Sequence, residues 1–87
     1  MTTPAGGSRD GETISALLVR LRGEIELTLA TFRLEPGEAE AVLQEVLFML
    51  IYRWDRIGDR ELWLLSALRR GCLRCLEARG ALEEAPP

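Results

Sequence analysis

EAEAVLQEVLFMLIYRWDRI, residues Glu38 to Ile57, is the most apolar stretch of this 87-residue chain. Between Val42 and Trp54 only Gln44, Glu45 and Arg53 are strongly polar. A helix over this stretch is apolar almost all the way round in its second half, so it must be covered on several sides. The run is too short for a bilayer, which needs roughly 20 apolar residues. It reads instead as the central helix of a small bundle, with the preceding and following segments packed on its faces. Val42, Leu43, Val46, Leu50 and Trp54 recur as one buried face. Leu47, Phe48 and Ile51 lie off that face and are either covered by another helix or offered to a partner.

Working outward, residues 1–11 (MTTPAGGSRDG) read as a flexible lead-in, small, polar and rich in glycine. Asp10 or Thr13 is suited to cap a first amphipathic helix, in which Ile14, Leu17, Leu18, Leu21, Ile25, Leu29 and Phe32 recur at helical spacing up to Arg33. Gly23 inside it costs up to about 1 kcal/mol relative to Ala, which suggests a close neighbour or a bend. Leu34 to Gly37 is the first break, and Pro36 opens a second helix running to Arg56. Gly58 and Asp59 form the second break, with Asp59 capping a third helix. Its expected buried stripe is Leu62, Leu65, Leu68, Cys72 and Leu76, with Leu64 and Cys75 beside it. Gly80 is the expected stop, leaving residues 81–87 as a loose acidic tail. The predicted architecture is all-α, a small three-helix bundle over residues 12–80.

A chain of this length forms one domain and buries only about 60% of its unfolded surface. A hydrophobic content of 47% argues for a folded core. All 11 basic residues are Arg, and the absence of Lys and His removes the usual general base and the commonest metal ligand. The net charge of −3 argues against nucleic-acid binding by bulk electrostatics. Charge is nevertheless uneven: residues 35–57 carry five acids and two Arg, whereas residues 59–80 carry five Arg and three acids. The third helix is thus the only basic segment. No basic and apolar regions follow one another at the N-terminus as in a secretion signal, so a cytoplasmic location is expected.

Few residues offer chemistry. Cys72 and Cys75 form one C-x-x-C without His, half of a structural zinc set, and read as reduced core-facing thiols, the alternative being a zinc or disulfide shared across a dimer. Glu38, Glu40 and Glu45 lack any metal-loop or phosphate-loop context and read as a solvated first turn plus one polar contact. With no His to activate a nucleophile, an enzyme is not expected, and neither catalytic residues, metal nor cofactor are assigned. Arg69, Arg70 and Arg74 read as a basic strip opposite the apolar stripe, either solvated or in contact with nucleic-acid phosphates. Trp63 is either core or a flat surface for an unstacked base.

Taken together, Ala39-Glu40-Ala41-Val42-Leu43-Gln44-Glu45-Val46, then Trp54-Asp55-Arg56-Ile57, then Trp63-Leu64-Leu65 resemble region 2 of the sigma-70 family, most nearly that of extracytoplasmic-function sigma factors. The likeness covers about residues 13–79 and rests on the three pieces standing at the right distances. It implies a helical domain that docks on the clamp helices of the largest subunit of core RNA polymerase and opens the minus-ten promoter element. By position, the resemblance assigns polymerase binding to Gln44, Glu45, Leu47 and Ile51. It assigns DNA binding to Trp63 and Arg69, and Arg70 and Arg74 extend that basic surface. The chain departs from the family in Ala41, where an acid is usual, in Arg70 for Asn, in Arg74 for Asp and in Glu77 where a run of Arg begins. The loop before the third helix is short, and there is no room for the helix-turn-helix that reads the minus-thirty-five element.

Two functions are open at this point. One is a sigma region-2-like domain that binds core polymerase and promoter DNA. The other is a sigma-derived interaction module that self-associates as a homo-oligomer, or occupies the clamp or an anti-sigma factor, without reading DNA. Neither involves a membrane.

Overall fold

The computed structural model describes residues 11–84, and the side chains of residues 11–80. Helix α1 (Ile14–Arg20) opens where Thr13 takes extended backbone angles and its Oγ1 accepts a hydrogen bond from the Ala16 N–H at 3.1 Å. Helix α2 (Arg22–Thr31) follows after a single residue, Leu21. The expected first helix is therefore two, and the described residues form four α-helices rather than three. Leu21 departs from helical geometry (φ −99°, ψ 8°), yet its N–H still bonds Leu17 and its carbonyl still receives the Ile25 N–H. The result is a bend rather than a break. Gly23 lies just beyond it with no neighbour within 4 Å of the place a Cβ would occupy, so it serves no close approach.

Arg33 (φ 53°) takes the left-handed conformation that ends α2, a place where glycine is the usual residue. Helix α3 (Pro36–Tyr52) then starts with Pro36 in its first turn, and the Glu35 N–H is bonded by the Glu38 carboxylate at 2.9 Å. It ends four residues earlier than the sequence suggests, in a 3-10 turn, Trp54–Arg56. Arg60 closes the loop that follows: its guanidinium lies 3.9 Å from the Trp54 ring centre and donates to the Trp54 carbonyl at 3.0 and 2.8 Å. Asp59 caps helix α4 (Arg60–Glu84), accepting from the Leu62 N–H at 3.0 Å. That helix runs through Gly80, so the expected stop is four residues early. A glycine costs a helix only about 1 kcal/mol and does not end it unaided. Residues 81–84, expected in the loose tail, are thus helical, and the rest of the flexible segments expected at the two ends, residues 1–10 and 85–87, lie outside the described residues.

The central helix is not the one that the apolar run suggests. Both α2 and α3 pack chiefly on α4, and α4, not α3, is the axis of the bundle. Arg20 at the end of α1 binds Glu61 at the start of α4, whereas Glu38 at the start of α3 binds Arg79 late in α4. The end of α1 thus lies at the start of α4, and α3 runs against α4, with Glu38 at Arg79, Val42 at Gly71 and Glu45 at Arg74. Leu17, Leu50, Leu64, Leu68 and Cys72 are fully enclosed at the centre. On α4 the buried set is Leu64, Ala67, Leu68, Gly71 and Cys72, while Leu62, expected in the stripe, is exposed and Leu65 and Leu76 are half-buried. Gly71 is what lets α3 approach: a Cβ there would stand 2.9 Å from the Val42 Cγ1. No helix among the described residues is long and apolar enough to cross a membrane.

Candidate functional site

Because α3 lies at the side of the bundle, the other described helices cover only one of its faces. Val42, Val46 and Leu50 are buried against α4, with Leu43 and Trp54 half-buried beside them. Gln44, Leu47, Phe48 and Ile51 recur three and four residues apart on the opposite side. Gln44 is exposed, Phe48 is 70% exposed and Ile51 59%, and Leu47 is half-buried. Tyr52 continues this apolar surface at the end of the helix. Glu45 stands about a quarter-turn away, since successive helical residues are roughly 100° apart. It turns to the rim of α4, where its carboxylate meets Arg74 at 3.4 Å. Of the four residues assigned to polymerase binding, three therefore share one open face and Glu45 lies beside it.

A second feature lies where α3 turns into α4. Tyr52, Arg53 and Arg56 from α3 and the 3-10 turn face Leu62, Trp63 and Arg70 from α4 across an open groove of roughly 580 Å³. It continues between the two helices past Arg53, Trp63 and Arg70 to Arg74 and Glu45. Trp63 does both things its sequence position allowed: it packs against the core and it lines the groove. Four guanidinium groups and two aromatic rings thus border a cleft whose nearby acids are both engaged. Asp59 caps α4 and Glu45 pairs with Arg74. Such a surface offers charge to a phosphate backbone and flat faces to bases.

The basic strip expected on the third helix is split. Arg70 and Arg74 flank the seam with α3 rather than opposing the apolar stripe, while Arg69 lies about 120° round the helix from Trp63. Arg69 is exposed and is not brought to the groove. In exchange the groove recruits Tyr52, Arg53 and Arg56, to which neither composition nor the family likeness assigns a binding role. The signal was present in Tyr52-Arg53-Trp54-Asp55-Arg56: two arginines three apart around a helix end are bound to project to one side. Their meeting with α4 depends on the hairpin.

The remaining candidates are structural. Cys72 is buried and Cys75 half-buried, both thiols are free, and burial pushes both above the ordinary thiol range, which suits inert core residues. Of Glu38, Glu40 and Glu45, Glu38 is the most fully partnered. Arg79 donates to both of its oxygens, Nε at 3.2 Å, and the Glu35 N–H adds a third bond. Together these hold Glu38 below the usual glutamate value. Glu40 is exposed. Among the described residues no three Cys, Asp or Glu side chains gather as a metal site. Comparison of the chain with protein-family models, with curated proteins and with solved structures gives no match.

Proposed function

We propose that the chain acts as a sigma region-2-like domain in transcription initiation, docking on the clamp helices of core RNA polymerase through the outer face of α3 and holding a promoter DNA strand in the α3–α4 groove. The observation that carries this reading is the exposure of Phe48 and Ile51, with Gln44 beside them, on a helix whose other face is buried. Large apolar side chains grouped in the open and edged by polar residues mark a protein contact. The groove supports the second half of the proposal: arginines 53, 56 and 70 make no ion pair with another described residue, and Trp63 and Tyr52 present rings beside them.

The test is titration of the full chain against core polymerase and against its clamp-helix fragment. Phe48→Ala and Ile51→Ala are each expected to weaken binding about tenfold, as truncation of a central interface residue does. Absence of binding by the wild-type chain sinks the polymerase reading. For the groove, single-stranded minus-ten DNA is titrated at several salt concentrations. Arg56→Ala with Arg70→Ala is expected to weaken binding and to flatten the salt dependence by up to about two units of slope. Polymerase binding with no DNA binding would leave a pure interaction module.

A further inference from the structure

Helix α4 has a side that neither α2 nor α3 covers. Leu62, Ser66, Arg69, Leu73, Leu76 and Gly80 line it, spaced alternately four and three residues apart as along a helix–helix seam. The buried residues of α4, Leu64 to Cys72, point the other way. On the open side Leu62 is 63% and Leu73 47% exposed, and Leu76 is half-buried.

About Leu73 the charges and the small residues of this side are self-complementary, while Leu76 falls opposite Arg70. Arg69 stands four residues before it and Glu77 four after, both exposed and neither engaged in an ion pair with another described residue. Ser66 and Gly80 stand seven residues to either side, small residues at equivalent places. If two α4 helices lie antiparallel about a two-fold axis at Leu73, the two Leu73 side chains meet. Each Arg69 then faces Glu77 of the second copy, and Ser66 faces Gly80 of the second copy, where the backbones can come close. A parallel pairing in register would set Arg69 on Arg69 and Glu77 on Glu77, so the charges select the antiparallel one.

We infer that the open side of α4 is a homodimer interface, with Leu73 on the axis and two reciprocal Arg69–Glu77 pairs fixing its register. This assigns Arg69 a place in self-association rather than in the groove, from which the bundle separates it. The inference stands independently of polymerase binding, which uses the outer face of α3, but Leu62 and Ser66 also line the groove, so the dimer and a DNA strand compete for that end of α4.

Sedimentation equilibrium of the full chain over about 10–500 µM, a range bracketing the affinity of a small interface, is the test. The wild-type chain is expected to dimerise. Arg69→Glu and Glu77→Arg should each raise the dissociation constant about tenfold or more, and the two together should restore it, because the swap recreates the pairs with reversed sign. Leu73→Glu should give a monomer with unchanged helical circular dichroism, since Leu73 is outside the core. A wild-type chain that stays monomeric throughout overturns the inference. So does a double reversal that fails to rescue, or a dimer lost in Ile51→Ala and kept in Leu73→Glu, which would mean pairing through α3.

Discussion

The two faces of α3 are built from the same kind of residue and have opposite fates. Val42, Val46 and Leu50 are buried, whereas Phe48 and Ile51, no less apolar, stand in solvent. What separates them is angle about the helix relative to α4, not hydropathy. The inner face holds the fold together. The outer face contributes little to it, which is why large apolar side chains there are better explained by a partner than by the core.

The largest expected effect sharpens this contrast directly. Leu50→Ala, at a fully enclosed site, should destabilise the chain by about 2–5 kcal/mol in denaturant melts. Ile51→Ala, one residue on, should change it by less than about 0.5 kcal/mol while weakening partner binding. If Ile51→Ala were as damaging as Leu50→Ala, the outer face would be part of the core and the contrast would collapse.

Two helical glycines extend the comparison. Gly71 sits where α3 meets α4, and a methyl there overlaps Val42, so Gly71→Ala should destabilise by about 1–2 kcal/mol even though alanine favours the helix. Gly23 faces open space, so Gly23→Ala should stabilise by up to about 1 kcal/mol. Equal responses at the two positions would show that the α3–α4 approach is looser than this packing requires.

The smallest effect is electrostatic. Arg79 and the Glu35 N–H favour the ionised form of Glu38, whose pKa is depressed from the ordinary value of 4.5. A depressed carboxylate contributes stability above its unfolded pKa and loses it as pH falls through the folded value. The pair is partly solvated, so the contribution is screened. The difference in melting temperature between the wild-type chain and Glu38→Gln should therefore be present at neutral pH and shrink as pH falls below about 4.5. A difference that stays constant down to pH 3 would mean that Glu38 acts through packing rather than charge.

Much of the local structure was legible because local chemistry decides it. The Thr13 and Asp59 caps, Pro36 in a first turn, and the burial of Val42, Val46 and Leu50 follow from hydroxyl or carboxylate acceptors, a missing N–H and a 3.6-residue period. The groove was half legible. Trp63, Arg70 and Arg74 could be singled out on one basic helix, but Arg53 and Arg56 could not be joined to them while the turn between was unknown.

Residues 62–68 show where periodicity stops. Leucines at 62, 64, 65 and 68 fit two helical phases equally well, one burying Leu62 and the other Leu64. Only the arrival of α2 on one flank and of α3 on the other, admitted by Gly71, selects the second. The same step makes α4 the axis of the bundle and leaves the outer face of α3 bare. By itself, then, the amino-acid sequence determined that the chain is helical, where α3 and α4 begin and which side of α3 is buried, since these depend on neighbours within a turn or two. Tertiary structure decided which helix is central, where α4 presents its arginines and which apolar residues are left for partners. Those depend on contacts between residues far apart in the chain, as in Glu45 with Arg74 and Arg20 with Glu61, whose geometry no local pattern encodes.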